Sequence, residues 1–125
     1  MSVFEIEAII SQAGRDGLMK ADMTRQLNDA FRTTFDGGKV LMSAGVSALS
    51  EQAQLEVVWA VRLFWQFTPE NDPYEEHDFG AVTCRGVRYF WKIDPFDLDL
   101  RYRSPDPSDA AFTIRVLTIM RADEY

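Results

Sequence analysis

Cysteine is nearly missing from this sequence. Cys84 stands alone among 125 residues, so no internal disulfide can form. A chain that folds without crosslinks fits a reducing, cytoplasmic compartment. No apolar run approaches the roughly eighteen residues that a membrane span needs, so no membrane partner is expected. The first residues carry Glu5 and Glu7 and no basic cluster, so they do not read as a secretory signal. Lysine is scarce, three against ten arginines, and Lys plus Arg are outnumbered by Asp plus Glu, 13 to 20. The net charge of −7 opposes a phosphate backbone, which proteins hold by displacing counterions with Lys and Arg. Direct nucleic-acid binding is therefore not expected. There is no CxxC pair, no phosphate-binding glycine loop and no nucleophile elbow. No cofactor and no resident metal are expected.

What is present is the material of one globular domain spanning residues 1–125. Hydrophobic residues make up 46% of the chain, enough to fill one core. Ser2 and Glu5 form a capping box, and Val3, Ile6, Ile9, Ile10 and Ala13 follow at helical spacing. This predicts a first helix over Val3–Ala13, stopped by Gly14 and a turn through Gly17. A second helix is capped by Asp22 and shows Met23, Leu27, Ala30, Phe31 and Thr34 on one face. It ends at Asp36-Gly37-Gly38. Residues Ile9 to Leu27 have the outline of a helix–turn–helix, but the helix that would read DNA is not basic, so a plain helical hairpin is expected.

Lys39–Ala44 reads as a strand, and Ser50 caps a third helix over Glu51–Phe67. On that helix Gln52, Glu56, Arg62 and Gln66 form one narrow polar stripe, into which Trp59 and Leu63 project. Phe79–Cys84 and Val87–Ile93 form a hairpin around Arg85-Gly86. Tyr89 and Trp91 share one face of its second strand, so Trp91 is expected to be buried and Trp59 exposed. Phe96, Leu98, Leu100 and Tyr102 alternate with Asp97, Asp99, Arg101 and Arg103, the pattern of a further strand with one wet face. Thr113–Met120 is apolar on both faces and reads as a central strand, with a helix from Ser108 as the competing reading. The expected class is α+β: about three helices on one antiparallel sheet of four to five strands.

Four strings, His77-Asp78-Phe79-Gly80, Phe90-Trp91-Lys92-Ile93-Asp94, Ser104-Pro105-Asp106-Pro107 and Val116-Leu117-Thr118-Ile119-Met120, carry a resemblance. Together they resemble a family of small alphaproteobacterial proteins, the domain of unknown function 3768. The resemblance runs from about Gln26 to Tyr125 and includes Leu27-Asn28-Asp29 and the glycines before Lys39. It implies that residues 1–21 are an addition to a family core of 22–125. It also implies a setting on plasmids and other mobile elements. It carries over no activity and no catalytic residues.

Two groups of residues carry candidate chemistry. His77 is the only histidine and sits among Asp72, Glu75, Glu76 and Asp78. A histidine beside carboxylates can act as a general base or bind a divalent ion. Consecutive residues do not converge easily on one ion, so a loop-fastening role is the simpler reading. Asp94, Asp97 and Asp99 form a second acidic group, with Asp97 and Asp99 on one strand face. Arg101 and Arg103 continue that face and favour salt bridging over acid–base work. Cys84 has only Arg85 as a neighbouring activator and reads as an ordinary packed thiol.

Two functions follow as expectations. The first is a non-catalytic, acidic interaction protein that docks a basic partner protein through Trp59, Leu63, Glu70, Asp72, Glu75 and Glu76. On a mobile element it would be an anti-defence inhibitor, an anti-CRISPR or anti-restriction protein whose acids imitate nucleic-acid phosphates. A homodimer through the Trp59 face is the self-association expected of it. The alternative is a small hydrolase or metal-dependent enzyme built on His77, Asp94 and Asp97. The observation that separates them is whether His77 and the Asp94–Asp99 group line one cavity.

Overall fold

The computed structural model describes residues 3–125, with side chains from Met19 onward. Ser2 lies outside the described residues, and so do the side chains that would form the apolar stripe of residues 3–13. Helix α1 (Val3–Thr34) leads into strand β1 (Gly38–Met42), a short helix α2 (Ala44–Ser47) and helix α3 (Glu51–Arg62). Strands β2 (Phe79–Cys84), β3 (Val87–Phe96) and β4 (Ile114–Arg121) complete a four-stranded sheet in the order β1-β4-β3-β2. The class is α+β, but the sheet is mixed. β2, β3 and β4 run antiparallel, whereas β1 lies parallel to β4 along the far edge. The long excursion through α2, α3 and the β2–β3 hairpin returns the chain to β1 in the same direction.

Several expectations change. The two N-terminal helices are one: α1 runs through Gly14 and Gly17 without a turn. Glycine costs a helix about 1 kcal/mol relative to alanine, which is a penalty and not a stop. The helix–turn–helix outline disappears with the turn. Helix α3 ends at Arg62 instead of Phe67, and in the segment beyond it Phe64 and Phe67 both turn inward onto Trp91, at ring centroid distances of 5.5 and 6.1 Å. The strand expected over Phe96–Tyr102 is a turn. Asp97 accepts from the Arg101 N–H at 3.0 Å, Leu100 takes a φ of 58°, and a single bridge joins Phe96 to Arg103. Alternation without a partner strand is not a strand. Residues Ile114–Arg121 are the central strand β4, so the helical reading from Ser108 does not hold.

The hairpin is as the sequence implied. Arg85 and Gly86 both have positive φ, 51° and 77°, as a tight two-residue turn between right-twisted strands requires. The core lies between the helices and one sheet face: Phe31, Val46, Val57, Val61, Tyr89, Trp91, Ile93, Leu117 and Ile119. Trp91 is fully buried and Trp59 is 49% exposed.

Candidate functional site

The inner face of α1 is polar where it meets the rest of the protein. Thr24, Asn28 and Arg32 are buried together with Phe31, while Met19 and Met23 face outward. Of the face expected over Met23, Leu27, Ala30, Phe31 and Thr34, Phe31 is buried and Leu27 half-buried, whereas Met23, Ala30 and Thr34 are exposed. The reason for the polar inner face lies in the long segment between α3 and β2, whose carbonyls would otherwise be left without donors. Asn28 Nδ2 donates to the Glu76 carbonyl at 2.9 Å. Arg32 Nη2 donates to the Phe64 carbonyl at 3.1 Å, and Arg25 Nη1 to the Glu75 carbonyl at 3.1 Å. Arg115, buried on β4, donates through Nε to Asn28 Oδ1 at 2.7 Å and through Nη2 to the Pro107 carbonyl. Burial lowers the Arg115 pKa from its ordinary value, and the Glu76 carboxylate opposes that shift.

His77 is held inside this network. Its Nδ1 donates to the Asp29 carboxylate at 2.8 Å, and its Nε2 lies 3.5 Å from Asp72 Oδ2. Its backbone N–H donates to Asp72 Oδ1 at 3.2 Å. The ring stacks on Phe67 with a centroid separation of 3.6 Å and an interplanar angle of 3°. Asp29 also accepts from Arg32 at 3.0 Å. A cavity of about 330 Å³ opens beside the ring, lined by Arg25, Phe67, Thr68, Asp72, Glu75 and His77. A His–Asp pair can orient a base. Here, however, both ring nitrogens face carboxylates and one ring face is covered, which is the geometry of a fastening.

Asp94 and Asp97 do not join it. Asp94 pairs with Lys92 at 3.3 Å, Asp97 caps its own turn, and neither lines the cavity at His77. Among the described residues no three His, Cys, Asp or Glu side chains are grouped to hold a metal ion. Burial pushes the Cys84 thiol up, and Glu56 pushes it further, away from the reactive thiolate.

The residues expected to meet a partner separate by exposure. Trp59 and Leu63 are 49% and 67% exposed, and Glu70 and Glu75 are exposed. Asp72 is buried beneath His77, and Glu76 is partly buried with its carbonyl held by Asn28. Asp72 therefore belongs to the fastening and not to a docking surface. Burial raises the pKa of Glu76, with Asp78 adding to the effect, and burial likewise raises that of Asp78. Sequence reasoning missed Arg32 and Arg115 as members of this network and Thr24 as a buried neighbour of it. The available signal was the polar spacing Thr24, Asn28, Arg32, which reads equally well as a solvent face.

A family model described as Protein of unknown function (DUF3768) matches residues 42–124, more than half of the chain, and the chain belongs to that family. The match begins at the end of β1, so Asn28, Asp29 and Arg32 precede it while His77 and Trp91 lie inside it. No curated protein and no solved structure matches the chain.

Proposed function

We propose that this member of the family is a non-catalytic protein-binding module that docks a basic partner through the outer face of α3. One observation carries the reading. Leu55, Trp59 and Leu63 stand one helical turn apart on that face and are 54%, 49% and 67% exposed. Large apolar groups in such a row are interface anchors more often than solvent decoration. The Arg62 guanidinium lies 4.5 Å from the Trp59 ring centroid, which limits the indole to one pose before any partner arrives. Glu70 and Glu75 are exposed on the loop that leaves α3, and the net charge of −7 selects a cationic partner over an anionic one. The finer form of the reading is an anti-defence inhibitor that occupies the nucleic-acid site of its target.

An enzyme built on His77 is the second reading, and the cavity beside the His77–Asp29 pair is what favours it. One experiment separates the two. Wild type and a W59A/L63A variant are used side by side to capture partners from the native host. A basic protein held by wild type and lost with the variant supports the docking reading. A partner retained equally by both overturns it. Turnover of a small substrate by W59A/L63A, lost in H77A, establishes the enzyme instead.

A further inference from the structure

Strand β2 closes the sheet on one side, and among the described residues nothing pairs with its outer edge. Which of its groups face outward follows from the ladder. The Asp78 carbonyl accepts from the Ile93 N–H at 2.8 Å, so every second residue from there, Gly80, Val82 and Cys84, is bonded to β3. Phe79, Ala81 and Thr83 therefore turn their N–H and C=O groups away from the sheet. Natural edge strands are blunted by charge, proline or a bulge. β1, the opposite edge, carries Lys39. β2 reads Phe-Gly-Ala-Val-Thr-Cys, with no charge and no proline. Beside it runs a groove of about 380 Å³ whose wall is Leu63, Phe64 and Trp65 and whose floor is Ala81, Val82 and Thr83. Trp65 is 77% exposed there.

We infer that β2 is the interface of a symmetric homodimer, in which a second copy of this chain adds its own β2 antiparallel across Ala81. The pattern is self-complementary. With Ala81 on the two-fold axis, Phe79 of each copy faces Thr83 of the other. The three outward-turned residues of each strand then satisfy one another. The apolar surface beside the edge points to the same occupant. The strand itself is uncharged, and Leu63 and Trp65 beside it are 67% and 77% exposed, so a second copy of the same edge would cover them with the same groups. An axis perpendicular to the joined sheet places both helical layers on one face, so Leu63 and Trp65 of the two copies meet over the new strand pair. This surface differs from the row of Leu55 and Trp59, which turn away from β2, and Leu63 stands where the two meet. The inference does not depend on the docking function proposed above.

The test is sedimentation of the full chain across a concentration series. Wild type is expected to dimerise. Ala81→Pro removes only an outward N–H, so it should shift the population to monomer while thermal unfolding stays cooperative. Should that variant fail to fold, Trp65→Ala decides. Trp65 is exposed in the single chain, so this variant should fold as wild type does and weaken the dimer about tenfold. A wild-type monomer at every concentration overturns the proposal, including one that binds an extended peptide at this edge. So do A81P and W65A chains that dimerise as wild type does.

Discussion

The guanidinium carbon of Arg32 lies 5.0 Å from the centroid of the Trp91 indole and 5.2 Å from that of the Phe67 ring. The cation is almost fully buried, and two anchors hold it: Asp29 at 3.0 Å and the Phe64 carbonyl at 3.1 Å. Through this one side chain α1 grips the core tryptophan, the loop after α3 and, by way of Asp29, the His77 ring. Arg32 Nε and Trp91 Nε1 have no partner among the described residues, so packing and charge hold this junction where hydrogen bonds do not.

Arg32→Ala should therefore destabilise the protein by about 3 kcal/mol, the scale of a broken buried ion pair. Arg32→Lys should recover only part of this, because an ammonium cannot lie flat between two rings and reach both anchors. Trp91→Ala should cost about 3–5 kcal/mol through cavity formation. Urea unfolding of the three variants provides the comparison. An Arg32→Lys chain as stable as wild type would show that the stacking geometry contributes nothing.

Gly80 faces the same indole. A Cβ built there would stand 2.5 Å from Trp91 Nε1, nearer than real contacts allow. Gly80→Ala should destabilise by about 1–3 kcal/mol through overpacking, although Gly80 lies in a strand where alanine is otherwise the better residue. A gain in unfolding midpoint on this substitution would show that Trp91 moves aside freely.

The buried acids give stability a pH dependence. Burial raises the pKa values of Glu76 and Asp78 in the folded state, so the folded protein binds their protons more tightly than the unfolded chain does. Their contribution is fully present below the ordinary carboxylate range, at about pH 4, and is lost as pH rises through the raised values. Glu124 acts in the opposite sense. Hydrogen bonds from the Ser43 hydroxyl and the Gly45 and Arg121 N–H groups lower its pKa, so its contribution is lost as pH falls. Relative to a Glu76→Gln/Asp78→Asn variant, wild type should lose urea stability as pH rises above about pH 4, because the lowered acids act alike in both chains. A difference between the wild-type and variant midpoints that does not change across that window contradicts the assignment.

Glu70 and Glu75 should act on the rate of partner encounter. Replacing both with glutamine should slow association more than it speeds dissociation. The effect should shrink as salt is raised, since exposed charges are screened beyond about 8 Å at 0.15 M. Changing Asp72 in the same way should instead loosen the His77 loop, because its carboxylate is buried. Binding kinetics over a salt series, run beside amide exchange of residues 75–78, separate the two behaviours.

Much of the architecture was legible in the residues. The Arg85-Gly86 turn, the alternation that buries Tyr89, Trp91 and Ile93, the apolar run of β4 and the exposure of Trp59 all follow from local periodicity and turn chemistry. Those signals depend on neighbours along the chain, which is why they survive without a structure. Three features could not be read that way. The direction of β1 depends on where the chain returns after the β2–β3 hairpin. The end of α3 precedes a segment whose Phe64 and Phe67 pack on Trp91, a partner far along the chain. The inner face of α1 depends on which carbonyls the loop of residues 63–78 leaves unsatisfied. A polar row such as Thr24, Asn28 and Arg32 is a solvent face when nothing faces it and a hydrogen-bonding core when bare backbone does. Only the tertiary structure decided between them, because a buried carbonyl requires a donor and the sequence does not state where that carbonyl will lie.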